Sequence, residues 1–298
     1  MESLRNQRGV DVMVAHTKFW QRSFPRNCIA GVLAFLLVIA GATISQARNF
    51  GSVQLLMGTP SSATKDPTNK NDFLITRRQY ALSYNNSKGT PNWVSWQLNA
   101  SWLGPVERCK VFSPDPALPT GFNIVRPRDY AGSGFSQGHM TRSGDRTVDE
   151  MDNCATFFLT NIVPQTQDQN GGPWLELENL SRELVVQGKE LYIISGPLGE
   201  GGTGLKGFMT RIKGKVTVPE STWKIVVILD KPGLGVKGVT DKTRVIAVRM
   251  PNKLGIQADS YKKYLTTVDE LEKLTGYDFL SDLPKGVQAE IEAKKDDQ

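Results

Sequence analysis

The feature that most constrains this chain is the run from Arg126 to Arg146, which shows neither the helical nor the strand period. It holds four arginines (Arg126, Arg128, Arg142, Arg146), two aspartates (Asp129, Asp145), four glycines (Gly132, Gly134, Gly138, Gly144) and His139. Glycines at that density let the backbone turn tightly, so the run reads as a polar, basic loop around which the rest of the chain must fold. The only other histidine, His16, lies upstream of an apparent export signal, which leaves His139 as the one imidazole of a mature protein. A site needing two histidine ligands is excluded, as is any histidine-based nucleophilic triad that does not use His139. One general base among arginines suits cleavage of a phosphodiester.

With 298 residues, 39% of them apolar and 22% charged, the chain has material for one large domain or two small ones. Its formal charge is +6. The first 47 residues hold five of the 36 basic residues (Arg5, Arg8, Lys18, Arg22, Arg26) and two of the 30 acidic ones (Glu2, Asp11), so the remainder has 31 against 28, a net of +3. That mild excess fits a polyanionic partner. Residues 28–44 form the only uninterrupted apolar run, preceded by Arg22 and Arg26 and followed by Ser45, Gln46 and Ala47. A basic flank, an apolar stretch and small residues before a cut after Ala47 predict a secretory signal over residues 1–47, with Met13 as an alternative start. The mature protein is then expected to be secreted or periplasmic, without stable membrane association. The competing reading is an uncleaved anchor, since the run approaches the lower length for spanning a bilayer. Cys28 sits in that run, and Cys109 and Cys154 remain after it. An oxidising compartment permits them to pair, but sequence does not give their Cα separation, so a disulfide and two free buried thiols both stay open.

Residues 48–75 read as an exposed lead-in and residues 76–298 as a single domain. A strand is expected at roughly 76–84, a turn at 85–91 and a second strand at Trp93–Leu98. In that second strand Val94, Trp96 and Leu98 share one face. Tyr84, Trp93 and Trp96 then read as packing residues rather than as a base-stacking platform. A Pro-rich connection over 105–119 leads into the central run. Thr147 with Glu150 has the form of a capping box opening a short helix, and Thr156–Thr160 has the content of a buried strand. Residues 161–173 read as loop. Pro173 suits the first turn of a helix over Trp174–Val186, with Leu177, Leu180 and Leu184 as its inward stripe. Glu178 and Arg182 lie four apart on a neighbouring stripe, where the plainest reading is a weak surface ion pair. Strands follow at Glu190–Ser195, Lys215–Val218, Trp223–Leu229 and Arg244–Val248. Helices then close the chain, one from Thr267 to near Gly276 and one near Gln288–Lys294. Helices mixed irregularly among adjacent strands predict an α+β fold.

Two nucleotide-binding patterns fail. Gly233, Gly235 and Gly238 match GxGxxG, but a strand follows them where a phosphate-capping helix is required. Gly199–Gly207 is glycine-rich but lacks the Gly-Lys-Ser/Thr ending of a P-loop. Both read as turns.

Gly138 and His139, followed about thirty residues on by Asn170, fit the Asp-Arg-Gly-His…Asn signature of the ββα-metal, sugar-nonspecific endonucleases. The chain resembles that family, and most closely its exported cyanobacterial branch. The likeness extends through Tyr80-Ala-Leu-Ser-Tyr84, Pro91-Asn-Trp-Val-Ser-Trp96, Gly132-Ser-Gly134, Thr160-Asn-Ile-Val-Pro-Gln165, Trp174 with Leu177 and Glu178, and Gly196-Pro197. It implies a ββα-metal (His-Me finger) fold with a central, mainly antiparallel sheet flanked by helices. It further implies a metal-dependent endonuclease that cuts DNA and RNA without strong sequence or sugar preference and leaves 5′-phosphate ends. By the resemblance His139 is the general base and Asn170 the one direct protein ligand of Mg²⁺, with Mn²⁺ tolerated. Glu178 orders the water shell or the base, while Arg182 and Arg108 contact phosphate. Gln137 is a further substrate contact, and a small acidic inhibitor protein is an implied partner.

The chain departs from the signature where Ser136 and Gln137 stand for Asp and Arg. Related nucleases vary at each position. Both replacements keep hydrogen bonding and lose charge, each loss corresponding to about 1–3 kcal/mol of transition-state stabilisation. Activity is therefore expected below that of a relative with the intact motif. The alternative function is a catalytically weakened or silent nucleic-acid-binding relative.

Overall fold

The computed structural model describes residues 52–298, so the expected signal or anchor over 1–47 lies outside the described residues. The chain begins with an antiparallel meander of β1 (Phe73–Thr76), β2 (Ala81–Asn85) and β3 (Thr90–Leu98). The central run contributes α1 (Pro127–Tyr130) and β4 (Ser136–His139), followed by α2 (Glu150–Ala155). Next come β5 (Ile162–Gln165), α3 (Gln167–Gly171) and α4 (Pro173–Val186). After β6 (Glu190–Leu198) the chain forms two small hairpins, β7 (Gly202–Gly204) with β8 (Gly207–Met209) and β9 (Arg211–Ile212) with β10 (Val216–Thr217). Strands β11 (Ser221–Leu229), β12 (Arg244–Pro251) and β13 (Leu265–Thr266) precede α5 (Val268–Thr275) and α6 (Lys285–Glu292).

Seven strands make one sheet in the order β1-β2-β3-β6-β11-β12-β13, every neighbouring pair antiparallel. Successive side chains of a strand point to opposite faces, and here both faces are covered. Val94, Trp96, Ile193, Val226, Ile228 and Ile246 pack with Trp174, Leu177, Leu184 and Val185 of α4. Trp93, Ile194, Ile225, Val227 and Val245 pack on the other side with Val268, Leu271, Phe279 and Ile291 of the C-terminal segment. This sandwiching explains why all nine residues of β11 are buried. The fold is α+β with a central antiparallel sheet.

The α4 helix begins on Pro173, and α5 on Thr267, whose side chain accepts from Glu270 N (3.1 Å). It stops at Gly276, where φ is +73°. The two glycine patterns are a 3₁₀ turn at Gly235–Gly238 and the β7–β8 hairpin with its flanking turns.

Several local expectations are corrected. The lead-in is not exposed throughout: Gln54, Met57, Phe73 and Ile75 are buried, and β1 pairs with β2, so the expected single strand at 76–84 is two strands joined by a turn. The polar run over 65–72 masked the apolar residues on either side of it. Asp149, not Thr147, caps α2, accepting from Met151 N (2.7 Å), while Thr147 Oγ1 accepts from Gly104 N (2.9 Å). Thr156–Thr160 is no strand; Phe157 and Leu159 are buried within turns, because bulky residues report burial and not backbone state. The strand starts at Ile162, so the loop expected over 161–173 is β5 and α3. The central run is not wholly loop, since Ser136–His139 finds a partner in β5.

Cys109 and Cys154 are joined, with Cα atoms 5.2 Å apart and a sequence separation of 45. The bond clips the 105–119 connection to α2, alongside a hydrogen bond from Cys109 N to Asn153 Oδ1 (2.8 Å). Closing a loop of that length is worth about 2–4 kcal/mol in the chain-entropy account. Replacing both cysteines with alanine is expected to lower unfolding free energy by that amount in urea titration; an unchanged midpoint would show that the loop is held without the bond.

Candidate active site

The site grows from the β4–β5 pair, in the register Ser136↔Gln165, Gln137↔Pro164, Gly138↔Val163 and His139↔Ile162. Strand alternation puts Gln137 and His139 on one side and Ser136 and Gly138 on the other. Only glycine fits at 138, because a Cβ there would lie 1.9 Å from Gln165 Oε1 and 2.7 Å from its Cγ. Gln137 and His139 face a cavity of about 260 Å³, lined also by Arg108, Arg142, Gln167, Asn170, Gly171, Leu175 and Glu178.

Asn170 is delivered by α3, whose N-cap Thr166 accepts from Gln169 N (3.2 Å). Gln169 anchors that helix to the sheet through Thr222 Oγ1 (2.8 Å) and Met250 O (2.9 Å). Asn252 clamps the approach, accepting from Thr166 N (2.8 Å) and donating to Pro164 O and Pro219 O (2.9 Å each). At Gly172 the chain breaks between the two helices where a Cβ would fall 2.5 Å from Asp168 O and 2.6 Å from Gln257 O. Pro173 then restarts it as α4, which carries Glu178 to the cavity wall.

The electrostatics are uneven. His139 is buried between the rings of Phe112 (5.4 Å) and Phe157 (4.7 Å), and its Nε2 has no protein partner among the described residues. Burial, reinforced by the positive Arg108 and Arg142, pushes its pKa down to about 3, so the imidazole is neutral at pH 7. Arg108 packs over Phe157 (4.8 Å to the ring centre) and donates to Ser143 Oγ. Arg142 lies 3.5 Å from Glu178 Oε2 and donates to Asn179 Oδ1 (2.9 Å).

Beneath the cavity is a buried charge cluster. Lys224 Nζ stands 3.6 Å from Glu178 Oε1 and 3.9 Å from the Trp174 ring centre. Asp145 accepts from Trp96 Nε1 (3.0 Å). Burial raises the pKa values of Glu178 and Asp145 and lowers that of Lys224, while the opposite charges within the cluster work against each shift.

The structure thus brings His139, Gln137, Arg108, Asn170 and Glu178 around one cavity. It does not place Arg182 there: its guanidinium donates to Gly144 O and braces the turn after Arg142. Glu178 and Arg182 are accordingly not a surface pair. Ser136 lies on the opposite side of β4 and donates to Gln167 Oε1 (2.9 Å), so it touches the cavity only through Gln167. Of the four arginines in the central run only Arg142 lines the cavity; Arg146 is wholly buried, donating to the carbonyls of Gln79, Gln97 and Asp145. The sequence reading missed Arg142 as an individual site residue, and Gln167, Asp145 and Lys224 as well. Lys224 had a signal, a lone charge inside an otherwise apolar central strand.

The donor set suits a hard cation. Asn170 offers a neutral oxygen in a cavity walled by a carboxylate, and no cysteine or second histidine among the described residues is near enough to favour zinc. A neutral imidazole, two guanidinium groups and an amide oxygen around one small space can together bind a phosphate and take a proton from water.

The profile of the DNA/RNA non-specific endonuclease family matches residues 57–286. The chain is 50% identical over 274 residues to a nuclease of Nostoc sp. (strain PCC 7120), covering 89% of this chain and 97% of that one. It is 30% identical over 281 residues to the human mitochondrial nuclease EXOG, covering 89% and 74%. A chain in the crystal structure of an EndoG/EndoGI complex shares the fold, with a TM-score of 0.63 at 23% identity over 78% of this chain and 91% of that one.

Two outcomes follow from the charges. Lys224→Met removes one of the two cations on buried Glu178 and leaves only the half-buried Arg142, at 3.5 Å, and is expected to cost about 3–5 kcal/mol in chemical denaturation; a neutral result would show that Arg142 alone compensates. The depressed pKa of His139 means that the unfolded chain takes up a proton near pH 6.5 and the folded one only near pH 3. Stability from this group is intact above about pH 6.5 and falls as pH drops towards 3. His139→Gln is expected to show a shallower acid slope than the parent between those values; parallel slopes would mean the imidazole titrates normally in the fold.

Proposed function

The chain belongs to the DNA/RNA non-specific endonuclease family, and from that premise we propose that it hydrolyses phosphodiester bonds of DNA and RNA with a divalent cation, leaving 5′-phosphate ends. The observation that carries the reading is His139: a neutral imidazole with an unpartnered Nε2, walling a cavity that also holds two arginines and Asn170. Phosphate enters between Arg108 and Arg142, which neutralise its oxygens. The same anion offsets the positive field that helps to depress His139, raising its basicity when substrate is bound. His139 then removes a proton from the attacking water. Mg²⁺, or Mn²⁺ in its place, would be held through Asn170 and supply positive charge against the leaving 3′ oxygen. Glu178, fixed by Lys224 and Arg142, keeps the cavity wall in register.

Every contact in this scheme goes to phosphate, water or cation. Base identity and the 2′-hydroxyl are therefore read weakly, which supports action on both nucleic acids. The altered motif supports retained turnover. Gln137 Nε2 is buried without a partner among the described residues, and is a donor for a phosphate oxygen where relatives with the intact signature carry arginine. Ser136 keeps the strand tied to α3 through Gln167 but brings no negative charge. The second reading, a silent binding relative, rests on those same two lost charges. An acidic inhibitor protein would meet a cationic cavity mouth, and the fold neighbour is itself in an inhibitor complex. Export follows from the signal-like segment over residues 1–47.

The test is degradation of supercoiled plasmid and of RNA with Mg²⁺, with Mn²⁺ and with chelator. Both substrates are expected to be cut only with metal, and His139→Ala to lose on the order of 10²–10⁴ in rate while keeping its fold. In the same assay Ser136→Asp with Gln137→Arg is expected to raise the rate about tenfold or more. Binding without cleavage under all three conditions would replace the enzyme with the silent relative.

A further inference from the structure

The β7–β8 hairpin takes no part in the chemistry above, yet it is built onto the segment that leads into the strand carrying His139. Leu205 N donates to Gly134 O (3.3 Å), and Gly204 lies so close to Phe135 that a Cβ there would stand 2.9 Å from the ring. Gly134 is three residues ahead of Gln137, so the hairpin meets the chain just before β4, at most about 10 Å along the backbone from a residue that lines the cavity.

The hairpin presents two large apolar side chains to solvent, Leu205 (75% exposed) and Phe208 (68% exposed). The Phe208 ring is seated rather than loose. A Cβ at Gly201, whose φ is +110°, would fall 2.4 Å from the ring, so the aromatic rests on bare backbone and keeps its remaining surface open. The hairpin base is fixed by Gly201 N to Val218 O (2.8 Å) and Thr203 N to Asn252 O (3.0 Å). Asn252 is also the residue that clamps Pro164 and Thr166 beside the cavity.

The surroundings are cationic. Between Gly199 and Lys215 the chain has four basic residues and one acidic residue, Glu200. Lys206, at the tip, reaches across Gly132, where its Nζ would be 3.8 Å from a Cβ. Lys213 Nζ, in the next hairpin, donates to Arg128 O (2.5 Å), and Arg128 is exposed four residues ahead of Gly132. An open aromatic surface flanked by exposed cations is what a single nucleic-acid strand needs, since every base has a π-face and every link a phosphate.

We propose that the β7–β8 hairpin is a substrate-strand contact outside the cavity: Phe208 stacks on an unpaired base while Lys206 and Arg128 hold neighbouring phosphates. The assignment rests on the nuclease reading and adds to it a preference for single-stranded or locally opened substrate.

The experiment compares the parent, Phe208→Ala and Phe208→Trp. It measures binding of a fluorescent single-stranded oligonucleotide in chelator, and hydrolysis of plasmid and of bis(p-nitrophenyl) phosphate with Mg²⁺. Phe208→Ala is expected to bind the oligonucleotide about 5- to 100-fold more weakly, with hydrolysis of the small diester unchanged and affinity restored by tryptophan. Unchanged oligonucleotide affinity overturns the assignment and leaves the apolar tip to a protein partner. An equal loss on the small diester also overturns it, because the effect would then lie in the cavity. A parent that hydrolyses neither plasmid nor diester defeats the nuclease reading itself, whereas an active parent with an indifferent Phe208→Ala defeats only the hairpin.

Discussion

The interaction on which the rest of the structure depends is the buried contact between Glu178 and Lys224. Neither charge is tolerable alone at that depth, since removing an ion from water costs several kcal/mol unless a partner of opposite sign is close. Lys224 comes from the central strand β11 and Glu178 from α4, so the pair fastens the helix that lines the cavity to the middle of the sheet. Trp174 and Trp96 flank the ammonium at 3.9 and 5.8 Å, and Trp96 also holds Asp145. A buried ion pair is weak evidence for stability. What this one supplies is position, because Arg142 can reach Glu178 only if the 143–145 turn and α4 keep their separation.

A second constraint works on the other wall. The β4–β5 pair is short, four residues a side, and would not hold itself in water. It is fastened by the side chain of Gln165 filling the space at Gly138, by Asn252 gripping β5 and the cap of α3, and by the disulfide that closes the loop around His139. The imidazole is kept neutral by burial between two phenylalanines, and the Arg108 and Arg142 guanidinium groups push it further the same way. One arrangement therefore gives both a cationic cavity wall and an imidazole that is unprotonated at pH 7.

These fasteners are all long-range. Asn252 lies far along the chain from Pro164, and Lys224 from Glu178, and no local pattern reports either contact. The Phe208 hairpin belongs with them: it reads in sequence as a glycine-rich turn, and only its seat on Gly134 relates it to the segment leading into β4.

By itself the sequence determined a good deal. One imidazole next to Gly138, a helix opened by Pro173 and the strands over Trp93–Leu98, Trp223–Leu229 and Arg244–Val248 were all legible, because each rests on local chemistry or on backbone periodicity; Asn170 was singled out only by the family resemblance. The side of β3 shared by Val94, Trp96 and Leu98 was legible too. The sequence did not show that Ser136–His139 is a strand, since glycine and polar residues form one only where a partner is supplied, and β5 supplies it. It did not separate Arg142, which walls the cavity, from Arg182, which braces Gly144, because both are merely near in sequence to residues of the site. Nor did it reveal that Lys224 lies under Glu178. Periodicity tells which face a side chain takes, and only the packing of distant elements decides what that face meets.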